Sequence, residues 1–208
     1  MSTPTNHSIP ALLAISATGG IEGRSSRYEV RRERLAGVYA DSSAFATLVS
    51  SQEGADELVY WVDAHTYDGG PGSLTIGTST LLPGTVGDEF TVTRGHLHAL
   101  SDRAELYYCL SGQGLMLMET LDGHTSAIEL TPGQAAHVPG GWIHRSVNVG
   151  NEPFVTLFCY NSDAGQDYKV IADADGMSQR VVTAPDGGWQ LAPNQGHTGY
   201  ATPKPEVG

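Results

Sequence analysis

The sequence contains little cysteine and little positive charge. Of its 208 residues only Cys109 and Cys159 are cysteines, too few for a disulfide framework, and no CxxC motif is present. Lys and Arg number 11 against 23 Asp and Glu, which gives a formal net charge of −12. Nucleic acids and anionic membranes are bound through basic faces. The composition therefore argues against both as partners, and an anionic metabolite would have to be bound locally.

Long apolar runs are also lacking. The short apolar stretch from Ile9 to Ile15 has no basic segment before it and is too short to span a bilayer. We therefore expect a cytoplasmic protein. The 26 glycines and 11 prolines, by contrast, are numerous enough to predict many turns, and so many short strands.

From Glu57 onward, short apolar runs such as ELVYWV, LTIGTSTLL, LMLMET and FVTLFCY alternate with Gly-, Pro- and Asp-rich turns. They recur at intervals of roughly 8–12 residues, which is typical of an all-β sandwich or barrel. No useful helical period interrupts them before residue 160. We predict an N-terminal arm (1–25), one domain (26–192) and an irregular tail (193–208).

The flanking segments are less clear in their patterns. Residues 26–41 fit a short helix or a strand followed by a turn, and residues 43–49 could continue as helix. After Tyr168 one further strand is expected at QRVV, and the Pro- and Gly-rich segment from Ala184 onward is expected to be irregular.

Four potential metal ligands stand at suggestive positions. His96 and His98 flank one residue, so on an extended segment both rings point to the same face. Glu105 follows after six residues, on the same strand face as Tyr107, and His144 lies on a distant strand. Three nitrogens and one oxygen suit Fe(II), Mn(II), Ni(II) or Zn(II) and leave room for substrate or water. We predict one divalent metal per chain.

The spacing of these ligands resembles two motifs of the cupin superfamily. The first is His96-x-His98-(x)6-Glu105-(x)6-Gly112, and the second is Gly133-(x)5-Pro139-x-Gly141-(x)2-His144-(x)3-Asn148. The resemblance implies an antiparallel jelly-roll β-barrel with a short N-terminal helix or arm, and a metal held inside by the four ligands. Gly112 and Gly133 are then expected at tight turns with positive φ.

The flanks resemble a narrower family, the cupin-type phosphoglucose isomerases. The resemblance covers about residues 29–170 and rests on VRRERLAGVYAD, PGTVGDEF, VTRGHLH, HRSVN and DAGQDY. It implies interconversion of glucose 6-phosphate and fructose 6-phosphate, a small sugar phosphate as the partner molecule, and a homodimer paired through sheet edges and N-terminal arms.

Within this resemblance, Glu105 and Tyr160 are the predicted catalytic residues. Glu105 could carry a proton between C1 and C2 while the metal polarises the substrate carbonyl. A metal-bound carboxylate is a weak base, so a metal-assisted hydride shift stays open as a rival route.

The resemblance also implies a phosphate site that needs no basic patch. Ser79, Thr93, Gly95 and the Tyr160 hydroxyl would hold the phosphate, and the further predicted pocket residues are Tyr107, Gln166 and Tyr168. Arg94 has the opposite strand parity from Thr93, which predicts a side chain that points outward.

Three features depart from the family pattern. Gln166 replaces the histidine of the usual DAGHDY, and an amide cannot titrate. Gly140 and Gly141 replace a proline and an aromatic residue, and Ser79 replaces a threonine. These departures keep open a related metal-dependent cupin enzyme that acts on another sugar, sugar phosphate or secondary metabolite as an isomerase, epimerase or dehydratase. A non-catalytic sugar- or metal-binding cupin is a third hypothesis, and the open metal positions argue against it.

Overall fold

The structure is a computed structural model that describes residues 10–24, 26–67 and 72–201. Parts of the predicted arm and tail, together with His7, lie outside the described residues. The strands are β1 (Ala14–Ile15), β2 (Ile21–Glu22), β3 (Ser26–Arg31), β4 (Leu58–Thr66), β5 (Leu74–Leu81), β6 (Thr85–Val86), β7 (Glu89–Phe90), β8 (Glu105–Ser111), β9 (Gly114–Thr120), β10 (Thr125–Leu130), β11 (Ala135–Val138), β12 (Trp142–Asn148), β13 (Phe154–Asn161), β14 (Gln179–Thr183) and β15 (Trp189–Pro193). The helices are a 3-10 turn (Arg32–Leu35), α1 (Ser42–Leu48), α2 (Gln52–Ala55) and α3 (Lys169–Ala172).

Two antiparallel sheets form the body of the molecule. The larger has the strand order β11-β8-β13-β5-β4-β3, and the smaller has the order β10-β9-β12. Their apolar inner faces enclose a core that includes Leu115, Leu117, Val147 and Phe154. The all-β cupin prediction is confirmed. Among the described residues, no helix has both the length and the apolar character needed to span a membrane.

Strand β8 shows why the sequence pattern places its side chains correctly. Glu105, Tyr107 and Cys109 are buried, whereas Leu106 and Tyr108 are 42% and 38% exposed on the other face. This alternation is the period of two expected for a strand with one face on the core. It aims the Glu105 and Tyr107 side chains into the barrel.

The segment that carries the two nearby histidines runs alongside β12. Val92 forms an isolated bridge with Val147, and His96 forms one with His144. The His96 N–H donates to the His144 carbonyl at 3.1 Å, and the His144 N–H donates back at 3.0 Å. This pairing places ligands that are far apart in sequence side by side.

Gly112 turns the chain between β8 and β9. Its φ is +78°, and a Cβ there would lie 2.2 Å from the Pro153 carbonyl oxygen. Only glycine satisfies both conditions without strain. Gly133 has a φ of +92°, so the expectation of positive φ at both glycines is confirmed.

The terminal segments are more regular than the sequence indicates. Residues 14–22 form the β1–β2 hairpin, and residues 26–35 are a strand followed by a 3-10 turn. The helix expected over 43–49 is present as α1, and Asp41 caps it by accepting from the Ala44 N–H at 2.8 Å.

The expectation of irregular structure after Ala184 was wrong over Trp189–Pro193, which pairs with β14 as β15. This hairpin belongs to the four-stranded sheet β15-β14-β7-β6. Local composition understates such a strand because its pairing with residues 179–183, rather than its own propensity, defines it.

Candidate active site

Four side chains converge inside the barrel. Glu105 Oε2 lies 3.0 Å from His144 Nε2, 3.2 Å from His98 Nε2 and 4.0 Å from His96 Nε2. The four ligand atoms all lie within 4.8 Å of one another, and all four residues are buried. The structure therefore brings together the complete ligand set that the sequence predicts.

Backbone carbonyls set the orientation of two of these rings. His98 Nδ1 lies 2.8 Å from the Arg103 carbonyl oxygen, and His144 Nδ1 lies 3.0 Å from that of Trp142. A carbonyl can only accept a hydrogen bond, so each Nδ1 carries the proton. In its neutral form each ring then presents the lone pair of Nε2 towards Glu105, the arrangement that metal-binding histidines adopt.

The donor atoms fit a divalent cation. His96 Nε2 and His98 Nε2 are buried and make no hydrogen bond within the described residues. Buried polar atoms of this kind normally have a partner. Lone pairs that converge on a carboxylate repel one another unless a cation lies between them. The three-nitrogen, one-oxygen set matches Fe(II), Mn(II), Ni(II) or Zn(II).

The pKa values of His96 and Glu105 favour the ligating forms, whereas the pKa of His98 is raised, because its interactions with Glu105 and the Arg103 carbonyl outweigh burial. Burial, reinforced by the nearby His144, lowers the pKa of His96 to about 3, so its ring is neutral at pH 7. Burial alone would raise the pKa of Glu105, but its interactions with His144 and His98 outweigh that effect and hold the pKa at about 2. Neutral imidazole and ionised carboxylate are the forms that bind a metal.

A cavity opens onto this cluster. All predicted site residues except His98 line its wall, and His98 lies in the ligand cluster behind it. The residues on the wall are Ser79, Thr93, Gly95, His96, Glu105, Tyr107, His144, Tyr160, Gln166 and Tyr168. One wall of the cavity therefore carries the ligands, and the remainder carries hydroxyl and amide groups together with two guanidinium groups, Arg94 and Arg145, and the apolar side chains of Val62 and Phe158.

Two tyrosines border Glu105. Tyr160 lies directly opposite Glu105 on β13, and Tyr107 is close enough to the Glu105 carboxylate for that charge to raise the pKa of its hydroxyl. Burial is the main cause that raises the pKa of both tyrosines above the ordinary value, so both hydroxyls remain protonated donors.

Thr93 and Gly95 shape the wall beside His96. The Thr93 hydroxyl oxygen accepts from the Ser146 N–H at 3.0 Å, which leaves its own proton free to donate. Gly95 has a φ of +76°, and a Cβ there would lie 3.0 Å from the His144 carbonyl oxygen. Within the described residues the Gly95 N–H makes no hydrogen bond. The Thr93 hydroxyl and the Gly95 N–H can therefore donate hydrogen bonds to anionic oxygens.

Arg94 does not point away from the site. It lines the cavity, its Nη2 donates to the Arg34 carbonyl at 2.7 Å, and its Cζ lies 5.7 Å from the centre of the Tyr168 ring. The parity argument fails because residues 93–95 lie outside any regular strand ladder, so alternation does not hold there.

Some cavity residues were not identified from the sequence. Tyr28 on β3, together with Tyr60 and Val62 on β4, also lines the wall. The alternation of Tyr60 and Val62 in ELVYWV does indicate a shared face. Nothing local, however, shows that this face lies opposite His96, because that depends on how the sheet closes.

The comparisons with known proteins agree with this geometry. A sequence profile of the family described as Glucose-6-phosphate isomerase (GPI) matches residues 30–197. The chain belongs to the glucose-6-phosphate isomerase family. The resemblance to the cupin-type phosphoglucose isomerases is thereby confirmed.

Relatives in this family come from bacteria and archaea. The protein named glucose-6-phosphate isomerase from Sinorhizobium medicae (strain WSM419) is 44% identical over 177 residues, covering 85% of this chain and 82% of its own length. The one from Pyrococcus furiosus is 43% identical over 166 residues, covering 79% and 85%. A solved oxalate decarboxylase from Bacillus subtilis superposes with a TM-score of 0.40 and 23% identity, covering 50% of this chain and 26% of that one.

The other residues that sequence patterns single out lie away from the ligand cluster of this family member. Cys109, Met116 and Met118 are buried in the core. Burial raises the pKa of Cys109 to about 11, so its thiol is neutral at pH 7. His137 is exposed on β11 and belongs to no group of potential ligands within the described residues.

Proposed function

We propose that this protein is a metal-dependent isomerase that interconverts glucose 6-phosphate and fructose 6-phosphate. The observation that carries the proposal is the buried set His96, His98, Glu105 and His144 at one wall of a hydroxyl-lined cavity. Membership of the glucose-6-phosphate isomerase family supports the same substrates.

His96, His98, Glu105 and His144 would hold one divalent ion, with Fe(II), Mn(II), Ni(II) and Zn(II) as the candidates. A bound ion supplies Lewis acidity that polarises a substrate carbonyl and stabilises the negative charge that develops on its oxygens.

Glu105 and Tyr160 are the proposed catalytic residues. In the aldose-to-ketose direction the Glu105 carboxylate accepts the proton from C2 and returns it to C1, while the hydroxyl proton of O2 passes to O1, so the carboxylate is regenerated and the protons balance. Tyr160, opposite Glu105 across the strand pair, donates a hydrogen bond to a substrate oxygen. The Tyr107 hydroxyl, a protonated donor close to Glu105, would help to keep the carboxylate in place.

A hydride shift from C2 to C1 is the rival route, because a carboxylate that binds a metal is a weak base. Turnover of glucose 6-phosphate in D₂O separates the two. Transfer through Glu105 exposes the proton to solvent, so NMR should show deuterium at C1 of the product. Complete retention of protium would contradict the role of Glu105 and support the hydride shift.

The proposed sugar-phosphate contacts are Ser79, Thr93, Gly95, Tyr107, Gln166 and Tyr168, all on the cavity wall. Thr93 and Gly95 offer a hydroxyl proton and a backbone N–H that make no hydrogen bond within the described residues, which suits a phosphate.

We also propose the single domain over 26–192, a homodimer and a cytoplasmic location.

The deciding experiment is a coupled assay of fructose 6-phosphate to glucose 6-phosphate. The protein is stripped of metal with a chelator and reloaded separately with Fe(II), Mn(II), Ni(II) and Zn(II). We expect activity to disappear on stripping and to return with at least one ion. Absence of turnover with every ion, in folded and metal-loaded protein, would overturn the proposal.

Gln166 favours a second candidate, a related metal-dependent enzyme for another sugar, sugar phosphate or metabolite. Gln166 lines the cavity where the family usually has histidine, and the Tyr168 hydroxyl donates to its Oε1. If fructose 6-phosphate is not turned over, the reloaded protein should be assayed against other sugar phosphates and free sugars. Turnover of one of these would support the second candidate.

A further inference from the structure

The rim of the cavity carries a cation that the surrounding protein leaves without a counter-charge. Arg94 lines the cavity beside Tyr168, and no carboxylate lies within ion-pair distance of it among residues 10–24, 26–67 and 72–201. Most arginines of this acidic chain are paired with a carboxylate; they are Arg24, Arg27, Arg31, Arg32, Arg103 and Arg180. Arg145 also lines the cavity with no carboxylate in ion-pair distance among the described residues, but it is buried and its Nη2 donates to the Arg94 carbonyl at 2.8 Å, so Arg94 is the more accessible of the two.

Two contacts fix the direction of the Arg94 side chain. Nη2 donates to the Arg34 carbonyl at 2.7 Å, and the guanidinium lies 5.7 Å from the centre of the Tyr168 ring. Of the five N–H donors of the group, the bond to Arg34 uses one. The remaining donors are held at the cavity rim. Thr93 and Gly95, the neighbours of Arg94 in the sequence, line the same cavity.

These neighbours suit an anion but do not neutralise one. A phosphate monoester carries close to two negative charges at pH 7. Hydroxyl and amide groups supply dipoles, whereas a guanidinium supplies a full charge and a planar pair of donors that matches phosphate oxygens. The metal ligands are buried and include the negative Glu105, so they would offset part of the charge of a bound ion, and the remainder would act on the reacting oxygens of the sugar rather than at the rim.

We propose that Arg94 binds the phosphate group of the substrate and distinguishes phosphorylated sugars from free sugars. This inference rests on the proposed function and adds a specificity-determining residue to it. Tyr168 acts as the platform that holds the guanidinium in place. Because the interaction involves a non-reacting part of the substrate, its loss affects binding more than the chemical step.

The test compares Arg94→Met with Lys169→Met in metal-loaded protein. Lys169 follows Tyr168 in the chain and carries the same charge, but its side chain is 80% exposed and does not line the cavity. For Arg94→Met we expect the KM for fructose 6-phosphate to rise about 10- to 100-fold, with kcat changed less than threefold. Its KM should also vary less with ionic strength than that of the wild type. Lys169→Met should behave like the wild type, and Arg94→Lys should recover part of the affinity.

Calorimetry with fructose 6-phosphate and with fructose keeps this inference separate from the isomerase proposal. Wild-type protein that binds fructose 6-phosphate through Arg94 without turning it over would overturn the isomerase proposal and leave the inference standing. The inference is overturned by an unchanged affinity in Arg94→Met, by an equal loss for fructose, by an equal loss in Lys169→Met, or by wild-type protein that does not bind fructose 6-phosphate.

Discussion

Arg103 holds the carboxylate of Asp163 by two hydrogen bonds of 2.9 Å, from Nε to Oδ1 and from Nη2 to Oδ2. The carbonyl of the same arginine accepts from His98 Nδ1 at 2.8 Å. Asp163 begins the segment that leads to Gln166 and Tyr168 on the cavity wall. One bidentate pair therefore links the orientation of a metal ligand to the position of the substrate pocket.

Replacing Asp163 by Ala should weaken metal binding through this link. Without its partner the Arg103 loop is less constrained, and the carbonyl that fixes His98 is free to move. Groups that orient a ligand typically contribute 10–100-fold to metal affinity, and we expect a loss of about tenfold. Titration against a competing chelator measures it.

Asp102→Ala is the matched control, because Asp102 also contacts Arg103, at 2.8 Å, but its side chain is 78% exposed and touches no cavity segment. We expect it to bind metal like the wild type. Equal affinities in the two variants would show that the Arg103–Asp163 pair does not position the site.

His144→Ala should abolish both metal binding and isomerase activity. It removes a buried Nε2 that lies 3.0 Å from Glu105 Oε2, and no other side chain can take its place without rearranging β12. The loss should exceed the roughly 10–100-fold cost of removing an outer partner. Elemental analysis of the folded variant measures its metal content, and His137→Ala serves as the control on an exposed histidine. Normal metal content in His144→Ala would refute its assignment as a ligand.

The metal ligands were predictable because their geometry is mostly local. The positions of His96, His98 and Glu105 follow from strand alternation, and the spacing around His144 matches a motif. Arg94 was placed on the wrong side because the chain leaves the strand ladder at residues 93–95, where alternation carries no information. Parity is a property of paired strands, so it fails wherever pairing stops.

Contacts made by distant segments were not predictable in the same way. Tyr28 reaches the cavity because β3 pairs with β4 at the edge of the larger sheet, and β15 forms because β14 offers it a partner. Both depend on tertiary closure, which no short stretch of sequence encodes. The sequence also gives no sign that Glu119, at the end of β9, accepts hydrogen bonds from the C-terminal segment.

Gln166→His should raise kcat for fructose 6-phosphate. An imidazole titrates near neutral pH, whereas the native amide cannot exchange a proton with the substrate. A positioned acid or base contributes 100-fold or more, so an increase of up to about 100-fold is the expected range. Gln166→Asn retains the amide and should show no gain. If kcat is unchanged or lower in the histidine variant, the amide at this position does not limit the reaction.

Glu119→Ala should destabilise the fold by detaching its C-terminal hairpin. Glu119 is fully buried, and its two carboxylate oxygens accept the backbone N–H groups of Ser178 and Gln179 at 2.8 Å each, as well as the Tyr200 hydroxyl. Removing this acceptor leaves several donors without partners, so the free energy of unfolding should fall by about 2–4 kcal/mol. Urea unfolding measures the change, and hydrogen exchange should accelerate first at residues 178 and 179.

The control is Glu33→Ala, which removes an exposed carboxylate and should change the free energy of unfolding by no more than about 0.5 kcal/mol. A Glu119→Ala variant as stable as Glu33→Ala would show that packing, rather than this carboxylate, holds the hairpin to the barrel.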